Sequence, residues 1–332
     1  MTMPLRVAVL RGGRSSEHEI SLASAASVLE ALDAARYDAV PVTIDRDGRW
    51  TWPDGTAVDL ALGAARPLDV DVVLPVLHGP FGEDGTVQGL LEIAGLAYVG
   101  AGVLGAALTM DKDLTKAVLR DAGIAVAASV TLHADEPREG MAERVAGLGY
   151  PVFVKPARLG SSVGISRVAA PDALESALDL AFAHDGKVLV EETLVGREVE
   201  CGILGEAGAL DVSAVGEILT DAEWYDYDAK YRPGGMDLAV PAELPADVTA
   251  AVQDTALRAA RACEVEGMAR IDFFVRPDGE PVLNEINAIP GFTGTSVYAR
   301  LFDASGVPYP ALLDRLIELA LARHARQRAL AF

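Results

Sequence analysis

Twice in its opening third the chain runs from an unbroken apolar stretch into a glycine-bearing polar loop and out into a helical period: LRVAVLRGG into SEHEISLASAASVLEAL, then VDVVLPVLHGPFGEDG into TVQGLLEIAG. Apolar runs without alternation read as strands buried on both faces, and strands that alternate with helices build parallel sheets. A strand near Ala39–Ile44, a hairpin-like IDRDGRWTW and a short strand at AYVG fit the same sheet. The expectation is an α/β, doubly wound domain over residues 1–100.

Open parallel sheets place ligands beyond the carboxyl ends of their strands. That puts Glu17 in the first loop, and His78, Glu83 and Asp84 in the second, where a ligand would lie. The first loop enters a helix whose free NH groups suit a carboxylate or phosphate, with Ser15 or Ser16 expected as the cap. A plain structural turn fits the same residues, because the third glycine of a dinucleotide fingerprint is missing. Glu17 reads either as a complement to the helix dipole or as a residue that orients a ligand amine.

A second centre of chemistry lies in ARIDFFVRPDGEPVLNEINAIPGFTGTSV, Ala269 to Val297. It alternates as a strand, turns at Pro277, Asp278 and Gly279, and returns as a second strand. Asp272, Glu285 and Asn287 can then share one face, since side chains two apart lie on one side of a sheet. Three oxygen ligands with no cysteine or histidine suit Mg²⁺, which commonly takes one or two carboxylates plus substrate phosphates. A nucleotide substrate is implied. Arg270 and the NH of Gly291 lie beside that face and offer a fixed cation and an approachable donor. Solvated acids on a polar-edged hairpin are the alternative.

Between these centres, MDKDLTKAVLRDAGIAV reads as a helix carrying Lys112 and Lys116, and YPVFVKPARLGSSVGISRV delivers Lys155 on a strand before a glycine and serine turn. Such a turn can close over phosphates while the lysine supplies a compact charge. It is not the P-loop, and an exposed hairpin turn has the same composition. Glu191 and Glu198 flank a turn at Val195 and Gly196 in KVLVEETLVGREVECGIL. The stretch from Asp221 to Gly235 has four aromatics, two basic residues and no apolar period, and reads as a mobile lid. The last helix ends in Arg323, Arg326 and Arg328, which are expected to complement its negative end.

Composition narrows the partners. A chain of 332 residues, 51% hydrophobic and 23% charged, can hold two or three domains with sizeable cores. A net charge of -21 argues against nucleic acid or an anionic membrane as main partner. Two cysteines, Cys201 and Cys263, in apolar surroundings read as buried free thiols of a reducing cytosol. The amino terminus does not read as a signal peptide, and the uncharged span from Ile93 to Met110 is broken by four glycines, so strand then helix is expected there rather than a membrane helix.

GGRSSEHEISLASA, HGPFGEDGTVQGLLE, YVGAGVLGAALTMDKDLTK, YPVFVKPARLGSSVGISRV, VEETLVGREVECGIL, EWYDYDAKY and RIDFF...NEINAIPGFT together resemble the D-alanine-D-alanine ligases of the ATP-grasp superfamily, in order along nearly the whole chain. The resemblance implies a three-domain ATP-grasp architecture, α/β and α+β, with a central domain at 101–191 and a carboxyl-terminal domain at 192–332. It implies a cytoplasmic, ATP-dependent enzyme acting on D-alanine, with two Mg²⁺ or Mn²⁺, as a homodimer. Position by position, it assigns Lys112, Lys155, Ser161, Ser162 and Lys230 to the ATP phosphates, and Glu191, Leu194 and Glu198 to the adenosine. Asp272, Glu285 and Asn287 become metal ligands. Glu17 would bind the first D-alanine amine, with His78 near its carboxylate. Arg270 and Gly291 would stabilise the oxyanion, and Ser296 with Val297 would meet the second D-alanine. Ser161 and Tyr231 would tie the lid to Glu17. Two positions depart from the family pattern: Ala288 stands for a usual Thr, and Thr193 for an apolar or aromatic residue beside adenine.

Overall fold

The structure, a computed structural model, describes residues 3–59, 67–206, 208–219 and 237–331. The expected lid, with Lys230 and Tyr231, lies outside the described residues.

The first sheet is built from β1 (Leu5–Gly12), β2 (Tyr37–Ile44), β3 (Trp50–Thr51), β4 (Val72–Pro75) and β5 (Ala97–Tyr98), in the order β3-β2-β1-β4-β5. β1, β2, β4 and β5 run parallel, and β3 turns back as an antiparallel edge. Alternate residues of β1 serve two cores. Val7 and Val9 pack with Ala25 and Val28 of α1 (His18–Ala31), while Ala8 and Leu10 pack with Val87 and Leu91 of α2 (Thr86–Ile93). Helices on both faces make the sheet doubly wound, as its unalternating strands require. The uncharged span from Ile93 splits into the end of α2, β5 and α3 (Val103–Met110). No helix among the described residues is long and apolar enough to cross a membrane.

Asp111 separates α3 from α4 (Lys112–Asp121) and caps the latter, its carboxylate accepting from Leu114 N at 3.2 Å. The second sheet then forms, antiparallel in the order β6-β9-β7-β8, from β6 (Ser129–His133), β7 (Val152–Pro156), β8 (Ser166–Val168) and β9 (Lys187–Glu192). With α5 (Met141–Ala146) and α6 (Leu174–Phe182) it has a core of its own, including Leu132, Val154, Leu178 and Val190. β9 and its successor β10 (Arg197–Glu206) belong to different sheets, so the stretch KVLVEETLVGREVECGIL changes sheet at residues 193–196. Only glycine serves at 196, where a Cβ would fall 2.4 Å from Val275 O.

The third sheet, β12-β11-β10-β13-β14, adds β11 (Ala209–Leu219), β12 (Asp237–Ala239), β13 (Gly267–Val275) and β14 (Pro281–Asn287), all antiparallel. One face packs on α7 (Ala246–Ala262) together with Ala106 of α3 and Leu119 of α4. The other faces α8 (Val297–Ala304) and α9 (Tyr309–Arg328), whose Phe302, Leu312 and Leu316 share one core with Val7 and Leu74 of the first sheet. First and third sheets are therefore welded through α9, and the second stands on its own core.

Two local expectations are corrected. Glu17, not Ser15 or Ser16, is the N-cap of α1 and makes no side-chain cap bond. The Ser15 hydroxyl is drawn to the neighbouring loop, donating to His78 O at 2.6 Å and accepting from Glu17 N at 3.2 Å. Arg323 does not serve the helix dipole: it is buried, donates to Gly100 O at 2.5 Å and Tyr98 O at 2.7 Å, and stacks over the Tyr98 ring. A guanidinium that leaves its own helix end to satisfy two carbonyls joins α9 to the end of β5. Arg326 and Arg328 do lie in the last turn of α9.

Candidate active site

The hairpin of β13 and β14 sets Arg270 opposite Asn287 and Asp272 opposite Glu285. Arg270 forks onto Asp272, Nε to Oδ1 at 2.8 Å and Nη2 to Oδ2 at 2.7 Å, and its Nε lies 2.9 Å from Glu200 Oε2 on β10. Asn287 Nδ2 donates to Asp272 Oδ2 at 3.0 Å. Burial opposes the guanidinium's charge, but Asp272 and then Glu200 outweigh it and hold the Arg270 pKa well above its usual value. A carboxylate accepts at about four lone-pair sites, so three bonds leave Asp272 room for one more partner. Glu285 opens onto a cleft that Glu83, Thr109, Lys112, Gly160 and Asn287 also line. One held carboxylate, one accessible carboxylate and an amide suit a hard cation shared with phosphate oxygens. Among the described residues, no group of three or more His, Cys, Asp or Glu could hold a metal by itself.

Lys112 and Lys116 on α4 and Lys155 on β7 bring three ammonium groups between the hairpin and the second sheet. Lys112 Nζ donates to Leu159 O at 2.7 Å and lies 3.8 Å from Glu285 Oε2, so it links the glycine and serine turn to the hairpin. Lys155 on β7 reaches Glu191 Oε2 on β9 at 2.7 Å. Lys116, one helical turn beyond Lys112, reaches Glu191 Oε1 at 3.2 Å. Burial would raise the Glu191 pKa, but Lys116 and then Lys155 hold it at about 2. Lys116 carries no role in the sequence analysis, although its spacing from Lys112 puts both on one helix face. Glu200 shares a strand face with Glu198 by alternation, but its place opposite Asp272 comes from β10 lying beside β13.

Against the hairpin stand the loops of the first sheet. Glu17 accepts a short hydrogen bond from Ser161 Oγ, across 144 positions of sequence. Ser161 and Ser162 are both left-handed, at φ +51° and +57°. Gly79 is left-handed too, and a Cβ there would lie 2.6 Å from Glu17 Oε2. Gly79 N donates to Glu83 Oε1 at 2.8 Å, and burial followed by the Glu17 charge pushes the Glu83 carboxyl up to about 8. His78 Nδ1 lies 3.1 Å from Ile289 O and Nε2 3.5 Å from Ser24 Oγ. Burial pushes its pKa down, against a smaller opposite pull from Glu17. The ring is thus neutral, and its Nδ1–H fastens the β4 loop to the loop after β14.

That last loop carries Gly291, Ser296 and Val297. Tyr309 Oη donates to Phe292 O at 2.8 Å, and Ser296 Oγ to Thr293 O at 2.8 Å, just before α8 begins at Val297. Gly291 is open, with nothing closer to a built Cβ than Ser296 Cβ at 3.9 Å. Leu194 and Glu198 are half-buried on either side of the turn between β9 and β10. Thr193 departs from an apolar residue for a visible reason: its hydroxyl donates to Pro151 O at 2.7 Å.

Two family models match the chain. That described as the D-ala D-ala ligase C-terminus matches residues 118–318, and that described as the D-ala D-ala ligase N-terminus matches 6–65 and 55–101. A D-alanine--D-alanine ligase A of Mesorhizobium japonicum is 48% identical over 96% of this chain and 98% of its own. The D-alanine-D-alanine ligase structure from Coxiella burnetii superposes with a TM-score of 0.89 at 39% identity, over 98% and 97% of the two chains. The VanG D-Ala:D-Ser ligase from Enterococcus faecalis gives 0.86 at 38% identity, over 96% and 100%. The Bacillus anthracis D-alanine--D-alanine ligase complexed with ATP gives 0.81 at 30% identity, over 97% and 99%. By sequence across both parts and by three-sheet architecture, the chain belongs to the D-alanine-D-alanine ligase family of ATP-grasp proteins.

Proposed function

We propose that the protein joins two D-alanine molecules into D-alanyl-D-alanine at the expense of ATP, for peptidoglycan precursor synthesis in the cytoplasm. The observation that carries this is a cleft lined by Lys112, Gly160, Glu285 and Asn287, with the forked Arg270–Asp272 pair bonded to Asn287 and the Glu17–Ser161 link beside Gly160. A carboxylate is a poor electrophile, and phosphorylation by ATP makes it an acyl phosphate that an amine can attack.

In this reading Glu17 binds the amine of the first D-alanine, with neutral His78 beside its carboxylate. Arg270 and the NH of Gly291 donate to the oxygen whose charge grows as the second amine attacks, which is the most productive place for a preorganised donor. Ser296 and Val297 form the subsite of that second D-alanine. Lys112, Lys155, Ser161, Ser162 and Lys230 contact the phosphates, and Glu191, Leu194 and Glu198 frame the adenosine. Asp272, Glu285 and Asn287 would hold two Mg²⁺ or Mn²⁺, which supply charge neutralisation at the phosphates when bound. Family resemblance assigns Tyr231 to the same set as Glu17 and Ser161. The proposed domains span 1–100, 101–191 and 192–332, and a homodimer is the proposed assembly.

The test is product identification after incubation with ATP, Mg²⁺ and D-alanine, with D-serine and D-lactate as competitors. D-alanyl-D-alanine and ADP in equal amounts support the reading. A mixed product in preference to the dipeptide would move the protein to the D-alanine-D-serine type, and ATP hydrolysis without ligation would overturn it.

A further inference from the structure

Glu191 is 3% exposed, and its carboxylate stands between two ammonium groups of different freedom. Lys155 keeps 12% of its side chain accessible and lies on the strand that runs into the glycine and serine turn, so it can turn toward a phosphate. Lys116 is 2% exposed on α4, and its only ion-pair partner among the described residues is Glu191. The two atoms of that contact, Lys116 Nζ and Glu191 Oε1, are buried 3.2 Å apart, and neither has an aligned hydrogen-bond partner among the described residues. An acceptor oxygen held by charge but not spent on a hydrogen bond is free to receive one from a ligand.

We propose that Lys116 is a positioning residue for the nucleotide: it is the counter-ion that stays with Glu191, keeping that carboxylate ionised and acceptor-only so that it selects a base with an exocyclic amine. This rests on the assignment of Glu191 to the adenosine. When phosphates draw Lys155 away, a carboxylate this deeply buried would otherwise stand alone or take up a proton. As a neutral acid it could donate as well as accept, and it would no longer discriminate an amine from a carbonyl on the base. Adenine offers the amine at that edge, and guanine offers the carbonyl. Two ammonium groups on one carboxylate thus divide the work, one following the phosphates and one staying with the base.

The experiment compares Lys116→Met, Lys116→Gln, Lys116→Arg and Glu191→Gln with the parent enzyme. The readouts are KM for ATP and for GTP, kcat, and ADP affinity by calorimetry across about pH 6 to about pH 8. Removing the charge should raise KM for ATP about ten- to a hundredfold, the range of a hydrogen bond to a charged group, with kcat changing much less. The ATP-over-GTP preference should shrink by a similar factor, and ADP binding should weaken further toward acid, where the unsupported Glu191 takes up a proton. Lys116→Arg should restore most of the preference, and thermal unfolding identifies any variant that fails to fold. If Lys116→Met proves unfolded, Lys116→Gln, which keeps a polar tip in the buried site, carries the test. Unchanged base preference and a flat pH profile in the folded neutral variants, with Glu191→Gln still losing the preference, would overturn the role of Lys116 alone. Unchanged base preference in Glu191→Gln would instead overturn the adenosine assignment beneath it.

Discussion

The two walls of the cleft are built on different principles. On the sheet wall, Arg270, Asp272, Glu285 and Asn287 are placed by the register of one hairpin, and Glu200 by the adjoining strand. Its charges are already held, Asp272 and Glu200 by the one guanidinium of Arg270, and Glu285 by Lys112 at 3.8 Å. On the loop wall, the buried Glu83 carboxyl is pushed up to about 8 by burial and then by the nearby Glu17 charge, with Lys112 a weaker opposing influence, and the contacts reach across the chain from Glu17 to Ser161 and from His78 to Ile289. The first arrangement holds its dipoles fixed before a ligand arrives, which is what stabilisation of a developing charge needs. The second leaves unmet negative charge at the place where a substrate amine is proposed to bind. On the proposed assignment, chemistry falls to the wall whose charges are paired in advance, and recognition to the wall whose charge a substrate completes.

The comparison breaks most openly at Arg270. Arg270→Met leaves Asp272 and Glu200 buried without their cation, so a stability loss of about 3 kcal/mol or more is expected. Turnover should fall roughly a hundred- to a thousandfold, the loss typical of one oxyanion donor, while ATP affinity changes little. Denaturant unfolding and steady-state kinetics check both, and a folded variant that only needs more ATP would place Arg270 with the nucleotide. Glu285→Gln is the next largest. Its carboxylate is the accessible one and lies 3.8 Å from Lys112, so the amide should fold normally. Turnover should still drop by about a hundredfold, because charge compensation at the phosphates is lost. Near-normal turnover at moderate Mg²⁺ would remove Glu285 from the metal site.

What was legible in the sequence follows the same division. The hairpin with Asp272, Glu285 and Asn287 on one face needed only alternation and a Pro-Asp-Gly turn, both local signals. Unalternating strands gave the doubly wound sheet for the same reason. Glu200 escaped because its pairing with Asp272 depends on β10 lying beside β13, which no local pattern states. The role of Ser15 was misjudged because an N-cap is the local default, and the carbonyl it serves belongs to His78, 63 positions away. Arg323 shows the same limit: a basic residue near a helix end suggests the dipole, and only the packed structure reveals two carbonyls of β5 and its exit. The reach of Glu17 to Ser161 entered through family resemblance and not through any spacing.

On the loop wall, Gly79→Ala tests whether that reach is set by backbone. The new methyl would fall 2.6 Å from Glu17 Oε2 in a left-handed position, so Glu17 must shift and the fold should lose about 1 kcal/mol. KM for the first D-alanine should rise about tenfold, with kcat much less affected. Equal kcat loss at unchanged KM would mean that Glu17 acts on the chemistry and not on binding. Ser161→Ala removes one hydrogen bond to a charged group, so the same KM should rise, by a smaller factor than in Gly79→Ala, with stability nearly unchanged.

The smallest effect, and the sharpest test of uncompensated charge on the loop wall, is the pH response of Glu83. Its carboxyl is raised from 4.5 to about 8 by burial and then by Glu17, with Gly79 N and Lys112 opposing. A group whose folded pKa is raised holds a proton that the unfolded chain releases, so its stabilising share is complete below about 4.5 and is lost as pH climbs through about 8. Glu83→Gln keeps the acceptor for Gly79 N and cannot ionise. The ligand-free parent should therefore lose stability relative to the variant as pH rises from 5 to 8, by no more than about 1 kcal/mol because the side chain still meets the cleft. Above pH 8 the gap should stop widening. Denaturant midpoints at closely spaced pH values, without nucleotide, measure it. A gap that stays constant across this range would show Glu83 already ionised at pH 5, and the loop wall would then carry both its negative charges openly while it waits for the amine.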